Sequence, residues 1–210
     1  MANYYHNRYG PLFASFLKAR ELSALVDSPS NGRMRPLLDI LTVERAFAGR
    51  RVTDVDMARA CVAAIHMSHG SLDKADALSA ELGTREGHYI HALIHLREGD
   101  FTNAAYWMRR VGKHAIHPDL VQHARSVVHA PTIDTAFLRE QSEWNAVGFV
   151  QLCRMYAGRP SETETLCRVI QMREWELLFN WCFVGAQREI EEPLAIPMGR
   201  ERFAKASSWV

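Results

Sequence analysis

The amino-acid sequence predicts an all-α fold of stacked antiparallel helix hairpins, arranged as a superhelix or as an irregular helical bundle. Three observations support this prediction. Apolar residues recur at helical spacing along most of the 210 residues. Alternating apolar and polar runs, which are typical of strands, are absent. Residues 64–76 (AIHMSHGSLDKAD) recur 29 residues later as residues 93–105 (LIHLREGDFTNAA), each copy with a central glycine that suits a turn between two helices.

Proline, glycine and cap-type residues divide the first half of the chain into helices. Pro11 begins the first one, because proline is tolerated in a first turn, and apolar residues continue its pattern to Val26. Residues 27–36 are rich in breaker residues and predict a flexible loop. The helices predicted next are 36–48, ended by Gly49; 55–69, capped by Thr53 or Asp54; and 72–82, capped by Ser71 and ended by Gly83.

The second half of the chain continues the pattern. Gly99 forms a turn between helices over 86–98 and 101–111, and Asp100 caps the latter. The further predicted helices are 117–129, 134–140, 143–157, 162–172 (capped by Ser161) and 174–187. Residues 191–210 contain two prolines and predict an irregular C-terminal tail. The whole chain, 1–210, is predicted to be one domain.

The bulk composition excludes several classes of function. A formal net charge of +1 does not favour a nucleic-acid or anionic-membrane partner. No uncharged apolar run approaches the roughly 20 residues that span a bilayer. The four cysteines are far apart within helical stretches, so we expect free thiols and a cytoplasmic protein.

The segment EGDFTNAAYWMRRVG, from Glu98 to Gly112, resembles the entry into the second helix of tetratricopeptide and Sel1-like repeats. In those repeats a glycine precedes an acidic or small residue, then alanine, then tyrosine or tryptophan before a basic pair. The offset of 29 residues is shorter than the tetratricopeptide length of 34, and the Trp–Leu–Gly–Tyr signature is absent. The resemblance implies a helical repeat that presents a binding face.

A more specific resemblance, over about residues 60–185, is to an uncharacterised family with a WHxxxHRxExDxxNAxYWxRRxG-type centre. Here the centre stands as Tyr89, His91, His95, Arg97, Glu98, Asp100, Asn103, Ala104, Tyr106, Trp107, Arg109, Arg110 and Gly112. It departs from the family by Tyr89 for tryptophan, Leu96 for arginine and Ala105 for lysine. The family carries no known activity, so the resemblance implies the fold alone.

Three histidines form the first candidate site. His88, His91 and His95 are spaced i, i+3 and i+7, so a helix places them on one face. The i, i+4 pair His91/His95 has the spacing of a chelating pair. Glu98 or Asp100 could complete a set of two histidines and one carboxylate for a divalent metal.

The alternative interpretation makes the same histidines structural, packed in a helix pair and hydrogen-bonded to backbone or to the two carboxylates. Two observations favour it. Ala92 occupies the position of the glutamate base in HExxH sites. In addition, the first copy of the repeat has one histidine, His66, without the other two.

A second candidate cluster follows in the next helix. Asn103, Tyr106, Trp107 and Arg110 share one face, and Arg109 lies off it. Such a face could bind a peptide carboxylate or a phosphate. In the alternative interpretation, the two aromatic residues belong to the core and the arginines pair with the carboxylates of the preceding turn.

The resulting hypothesis is a non-enzymatic module that binds a protein or peptide through His91, His95, Glu98, Asp100 and the second cluster, without a cofactor. The alternative is a metal-dependent hydrolase that uses His91, His95 and Glu98 or Asp100.

An apolar face at the start of the chain adds a further option. Phe13, Phe16 and Leu17 lie at helical spacing on the first predicted helix. A homodimer could form through this face.

Overall fold

The computed structural model describes residues 7–26 and 31–187, and 67% of the chain is helical. Within those residues no strand is present. The helices are α1 (Pro11–Lys18), α2 (Arg35–Leu38), α3 (Val43–Ala46), α4 (Val55–Ser68), α5 (Leu72–Ala80), α6 (Arg85–Glu98), α7 (Phe101–Val111), α8 (His117–Val127), α9 (Ala136–Glu140), α10 (Ala146–Tyr156) and α11 (Glu162–Gly185). The all-α prediction is confirmed. None of these helices is both long enough and apolar enough to span a membrane.

The two copies of the repeated segment form two helix hairpins, α4–α5 and α6–α7. The turns contain Gly70 at φ 77° and Gly99 at φ 79°, which is left-handed backbone that glycine adopts without steric cost. Asp54 accepts a hydrogen bond from the Met57 N–H and so caps α4, as predicted. The two helices of each hairpin pack against each other, and α4 also contacts α6 and α11.

The long helix α11 corrects one prediction. The sequence was divided into helices over 162–172 and 174–187, but the structure has one continuous helix of 24 residues. Its start is as predicted, since the Ser161 hydroxyl accepts a hydrogen bond from the Glu164 N–H at 3.1 Å. No glycine or proline interrupts residues 170–176, so no local signal ends the helix there. Trp175 of α11 donates from Nε1 to the Ala64 carbonyl of α4 at 2.9 Å, which joins the two helices.

The first predicted helix is also corrected, because α1 ends at Lys18 instead of continuing to Val26. The segment that follows is bound to α11 through its backbone. Arg168 donates to the Ser23 carbonyl at 2.8 Å and to the Leu22 carbonyl at 2.9 Å. These carbonyl groups are thus used in a tertiary contact rather than in a helix.

Other helix boundaries differ in smaller ways. The helix predicted over 36–48 is divided into α2 and α3, and Thr42 caps α3 by accepting from the Arg45 N–H. The remaining predicted helices lie within three residues of their observed bounds. Of the predicted loop, residues 31–34 form a turn and Arg35 begins α2, whereas 27–30 lie outside the described residues. The predicted tail, 191–210, also lies outside them.

The apolar face of α1 is part of the core. Phe13 and Phe16 are fully buried, and the Phe13 ring lies 5.4 Å from that of Phe47 and 5.3 Å from that of Phe179, both edge to face. These two side chains therefore cannot form the dimer face that the sequence suggested. A homodimer stays a prediction with no surface assigned to it.

Candidate functional site

The three histidines of α6 lie beside Trp107 of α7. The His91 ring centroid is 4.7 Å from that of His95 and 4.6 Å from that of Trp107, in both cases edge to face. The His88 ring centroid lies 5.1 Å from that of Trp107. All four side chains are half-buried. The helical spacing of the histidines thus produces one continuous aromatic row on the hairpin surface.

The metal-ligand set that the structure brings together includes a residue that sequence analysis missed. One ligand atom each of Asp76, His91 and His95 lie within 4.8 Å of one another. Asp76 comes from α5, and its Oδ1 is 3.0 Å from His91 Nδ1. Ser79 Oγ lies 3.1 Å from the same nitrogen. Partial burial lowers the pKa of His91, although the Asp76 carboxylate opposes this, so the ring is neutral at pH 7.

The two carboxylates proposed as ligands have other contacts. Glu98 Oε2 lies 3.0 Å from His95 Nδ1, so it can orient the ring whose other nitrogen is free for a ligand. Asp100 caps α7 by accepting from the Asn103 N–H at 3.1 Å and from Asn103 Nδ2 at 2.7 Å. The backbone hydrogen bond lowers the pKa of Asp100. Asp100 and Asn103 are therefore occupied in capping the helix.

Tyr106 and Arg110 lack the core position and the carboxylate partner that the alternative interpretation of the second cluster predicts for them. Tyr106 is 48% exposed, so it is not a core aromatic residue. The Arg110 guanidinium carbon lies 5.3 Å from the Trp107 ring centroid and 5.9 Å from that of Tyr106, and Nη1 donates to the Tyr106 hydroxyl at 3.4 Å. Among the described carboxylates, none lies within 4.0 Å of Arg109 or Arg110. The expected pairing with Glu98 or Asp100 is absent.

A buried polar network that was not predicted from the sequence connects α6 with α8 and α11. Tyr89 donates from its hydroxyl to Glu174 Oε1 at 2.6 Å, and His117 Nε2 lies 3.3 Å from the same hydroxyl. Burial raises the pKa of Glu174 to about 7 and lowers that of His117 to about 4. Tyr89 and Glu174 are separated by 85 positions in the sequence, so no local pattern indicated this contact.

Comparison of the chain with protein-family models, with curated proteins and with solved structures finds no match. The resemblance to tetratricopeptide-like repeats therefore stays a prediction. The function has to be argued from the geometry of the surface itself.

Proposed function

We propose that the protein is a non-enzymatic binding module whose partner is a peptide or protein segment that carries an exposed carboxylate. The binding surface is formed by His88, Tyr106, Trp107 and Arg110, which we call the hairpin face. One observation carries the proposal: the Arg110 guanidinium is held over two aromatic rings without a carboxylate partner among the described residues.

The composition of the hairpin face suits recognition. Tyrosine, tryptophan and arginine contribute much of the binding energy at protein interfaces, because they bury large areas at a low entropic cost. Stacking on Tyr106 and Trp107 restricts the Arg110 side chain before a ligand arrives. A guanidinium so oriented can form two parallel hydrogen bonds with one carboxylate. Specificity would then come from the row of rings beside it.

The test is a selection of random peptides on the purified protein, followed by affinity measurements on free synthetic peptides. We expect enrichment of peptides with an acidic side chain or a free C-terminus. Arg110→Ala should weaken their binding by at least about tenfold, because the charge-assisted hydrogen bonds to the carboxylate are lost. Arg109→Ala is the matched control, because this exposed arginine lies off the hairpin face. Selected peptides that bind the Arg110→Ala variant as well as the parent would disprove the proposal.

A second candidate function is the binding of a divalent metal by Asp76, His91 and His95. Two imidazoles and one carboxylate form a donor set that suits Zn²⁺. Asp76 belongs to the first hairpin and both histidines to the second, so a bound ion would tie the hairpins together. A hydrolytic use, as in the alternative from the sequence, would additionally need an open coordination position.

Metal binding is tested by titrating Zn²⁺ into chelator-treated protein, with calorimetry and thermal unfolding as readouts. We expect one ion per chain and a higher unfolding temperature with the ion bound, since the ion binds the folded state. Asp76→Asn and His91→Ala should each weaken binding by about tenfold or more. His88→Ala should leave it unchanged, because His88 is outside the ligand set. Equal losses in all three variants, or no saturable binding, would refute a site at these residues.

A cytoplasmic location is part of the proposal. Its support is that all four cysteines are free and buried.

A further inference from the structure

A small cavity of about 40 Å³ lies on the side of α6 opposite the histidines. Helices α4, α6 and α11 surround it together with the segment that follows α1. Its eleven lining residues include Arg20, Glu21, Arg97, Arg168 and Gln171. Three of these eleven residues are arginines, whereas the single carboxylate in the lining belongs to Glu21, which is exposed. We call this space the arginine cavity.

Arg97 is the central observation. Its side chain is buried, with the residue only 7% exposed, and its Nε has no hydrogen-bond acceptor. Among the described residues, no carboxylate lies within ion-pair distance of it. A guanidinium stays protonated in proteins, and an unpaired buried charge is costly. The described part of the chain thus holds a positive charge here without a counter-charge.

Two other lining residues also have unused donors. Arg20 pairs with Glu176 and lies 4.2 Å above the Trp175 ring, yet its Nη1 is buried without an acceptor. Gln171 is 8% exposed, and its Nε2 is likewise buried without an acceptor. Native proteins leave few buried donors unsatisfied, so three on residues around one cavity indicate an absent acceptor.

Arg168 has a different part in the cavity. Its Nε and Nη2 donate to two carbonyl groups of the segment after α1, and its Nη1 lies 3.6 Å from Glu164. It therefore fixes the cavity wall while adding positive charge.

We propose that the arginine cavity binds a small oxyanion, either free phosphate or the phosphate or carboxylate group of a small molecule, with Arg97 as its main charge partner. The volume corresponds to roughly three or four water molecules, which is comparable to the four oxygen atoms of one phosphate group. Guanidinium and amide N–H groups are the donors that oxyanions accept from. The inference does not depend on the hairpin face, since the cavity lies on the other side of α6.

The test is a titration of the full-length protein with inorganic phosphate and, separately, with acetate, each at constant ionic strength in a buffer without other oxyanions. Thermal unfolding and calorimetry report binding. We expect a saturable response with a low-millimolar or tighter Kd for at least one anion. Arg97→Met, which keeps the size and removes the charge, should raise Kd at least about tenfold. Arg109→Met is the matched control and should change Kd less than about twofold.

The unfolding temperature of the Arg97→Met variant without ligand provides a second test of the proposal. Because it replaces an unpaired buried charge with an apolar side chain, it should unfold at the same or a higher temperature than the parent in anion-free buffer. The parent should become the more stable protein as the anion concentration rises. A response to phosphate alone assigns a phosphoryl group, and one to acetate alone assigns a carboxylate. No saturable response, or equal responses of the parent and Arg97→Met, would overturn the proposal.

Discussion

The two hairpins have related sequences and the same local structure, but equivalent residues in them have different environments. His66 of α4 and His95 of α6 occupy the same position of the repeated segment. His66 is 4% exposed and bonds to Ser71 Oγ through Nδ1 at 3.3 Å. The His95 side chain is 17% exposed and lies against Glu98. The same residue is thus a core residue in one copy and a half-buried residue in the other.

The difference arises from the neighbours of each hairpin. In the first hairpin, the buried His66 lies near Lys74 of α5, near Asp39 after α2 and near His69. In the second hairpin, the equivalent His95 lies beside Glu98 and the His91 ring and is half-buried. A repeated local sequence therefore determines the shape of the hairpin, whereas the surrounding residues decide how deeply equivalent side chains are buried.

Alanine substitution of the two equivalent histidines should give the largest difference in stability between the two copies. His66→Ala should lower the free energy of unfolding by about 2–4 kcal/mol, because a buried ring and its hydrogen bond are lost. His95→Ala should cost less than about 1 kcal/mol, because the ring is partly exposed. Denaturant unfolding of both variants measures the difference. Equal losses would show that the two positions have the same environment.

The pH dependence of stability should sharpen the same comparison. Burial, with a contribution from Lys74, lowers the pKa of His66 to about 4 in the folded state, against an ordinary value near 6.5. Between these values the unfolded chain binds more protons, so stability falls as pH decreases from about 6.5 to about 4. His66 accounts for at most about 3 kcal/mol of this loss.

His66→Gln should remove that part of the acid sensitivity, and His95→Asn should not. Unfolding curves at several pH values provide the measurement. His117 and His123, whose pKa values burial also lowers to about 4, act in the same direction. Glu174 acts in the opposite direction, because its folded-state pKa is raised to about 7 and its protonated form is favoured in the folded state. A His66→Gln variant as acid-sensitive as the parent would contradict the assignment.

The smallest predicted effect concerns the feature that the hairpins share. Gly70→Ala and Gly99→Ala should each cost about 1–2 kcal/mol, because both turns need a left-handed backbone that disfavours a Cβ. A Cβ at Gly99 would contact Val26 at 3.7 Å, an ordinary distance, so no clash adds to this cost. Gly83→Ala is the control, since its φ is not left-handed and its Cβ would meet open space. Thermal or denaturant unfolding tests whether the two losses agree.

The part of the chain that could be predicted from the sequence is governed by local interactions. The glycine turns, the caps at Asp54 and Asp100 and the position of the histidine row depend on residues within a few positions of one another. Helical spacing likewise placed His91 and His95 side by side. These features need no information about the remainder of the fold.

What the sequence alone could not reveal depends on contacts between distant residues. Asp76 lies beside the histidines because α5 packs on α6, a contact that helical spacing within α6 could not indicate. The backbone of the segment after α1 is bound by Arg168, about 145 residues away.

Tertiary structure also explains why no described carboxylate pairs with Arg97. Its sequence neighbours include Glu98, but that carboxylate lies beside His95 instead. Side chains three or four positions apart share a helix face, whereas adjacent ones point apart. Local sequence therefore determined the hairpins and the rows of side chains on them. The packing of α11, α5 and the segment after α1 decided which of the described charges have partners.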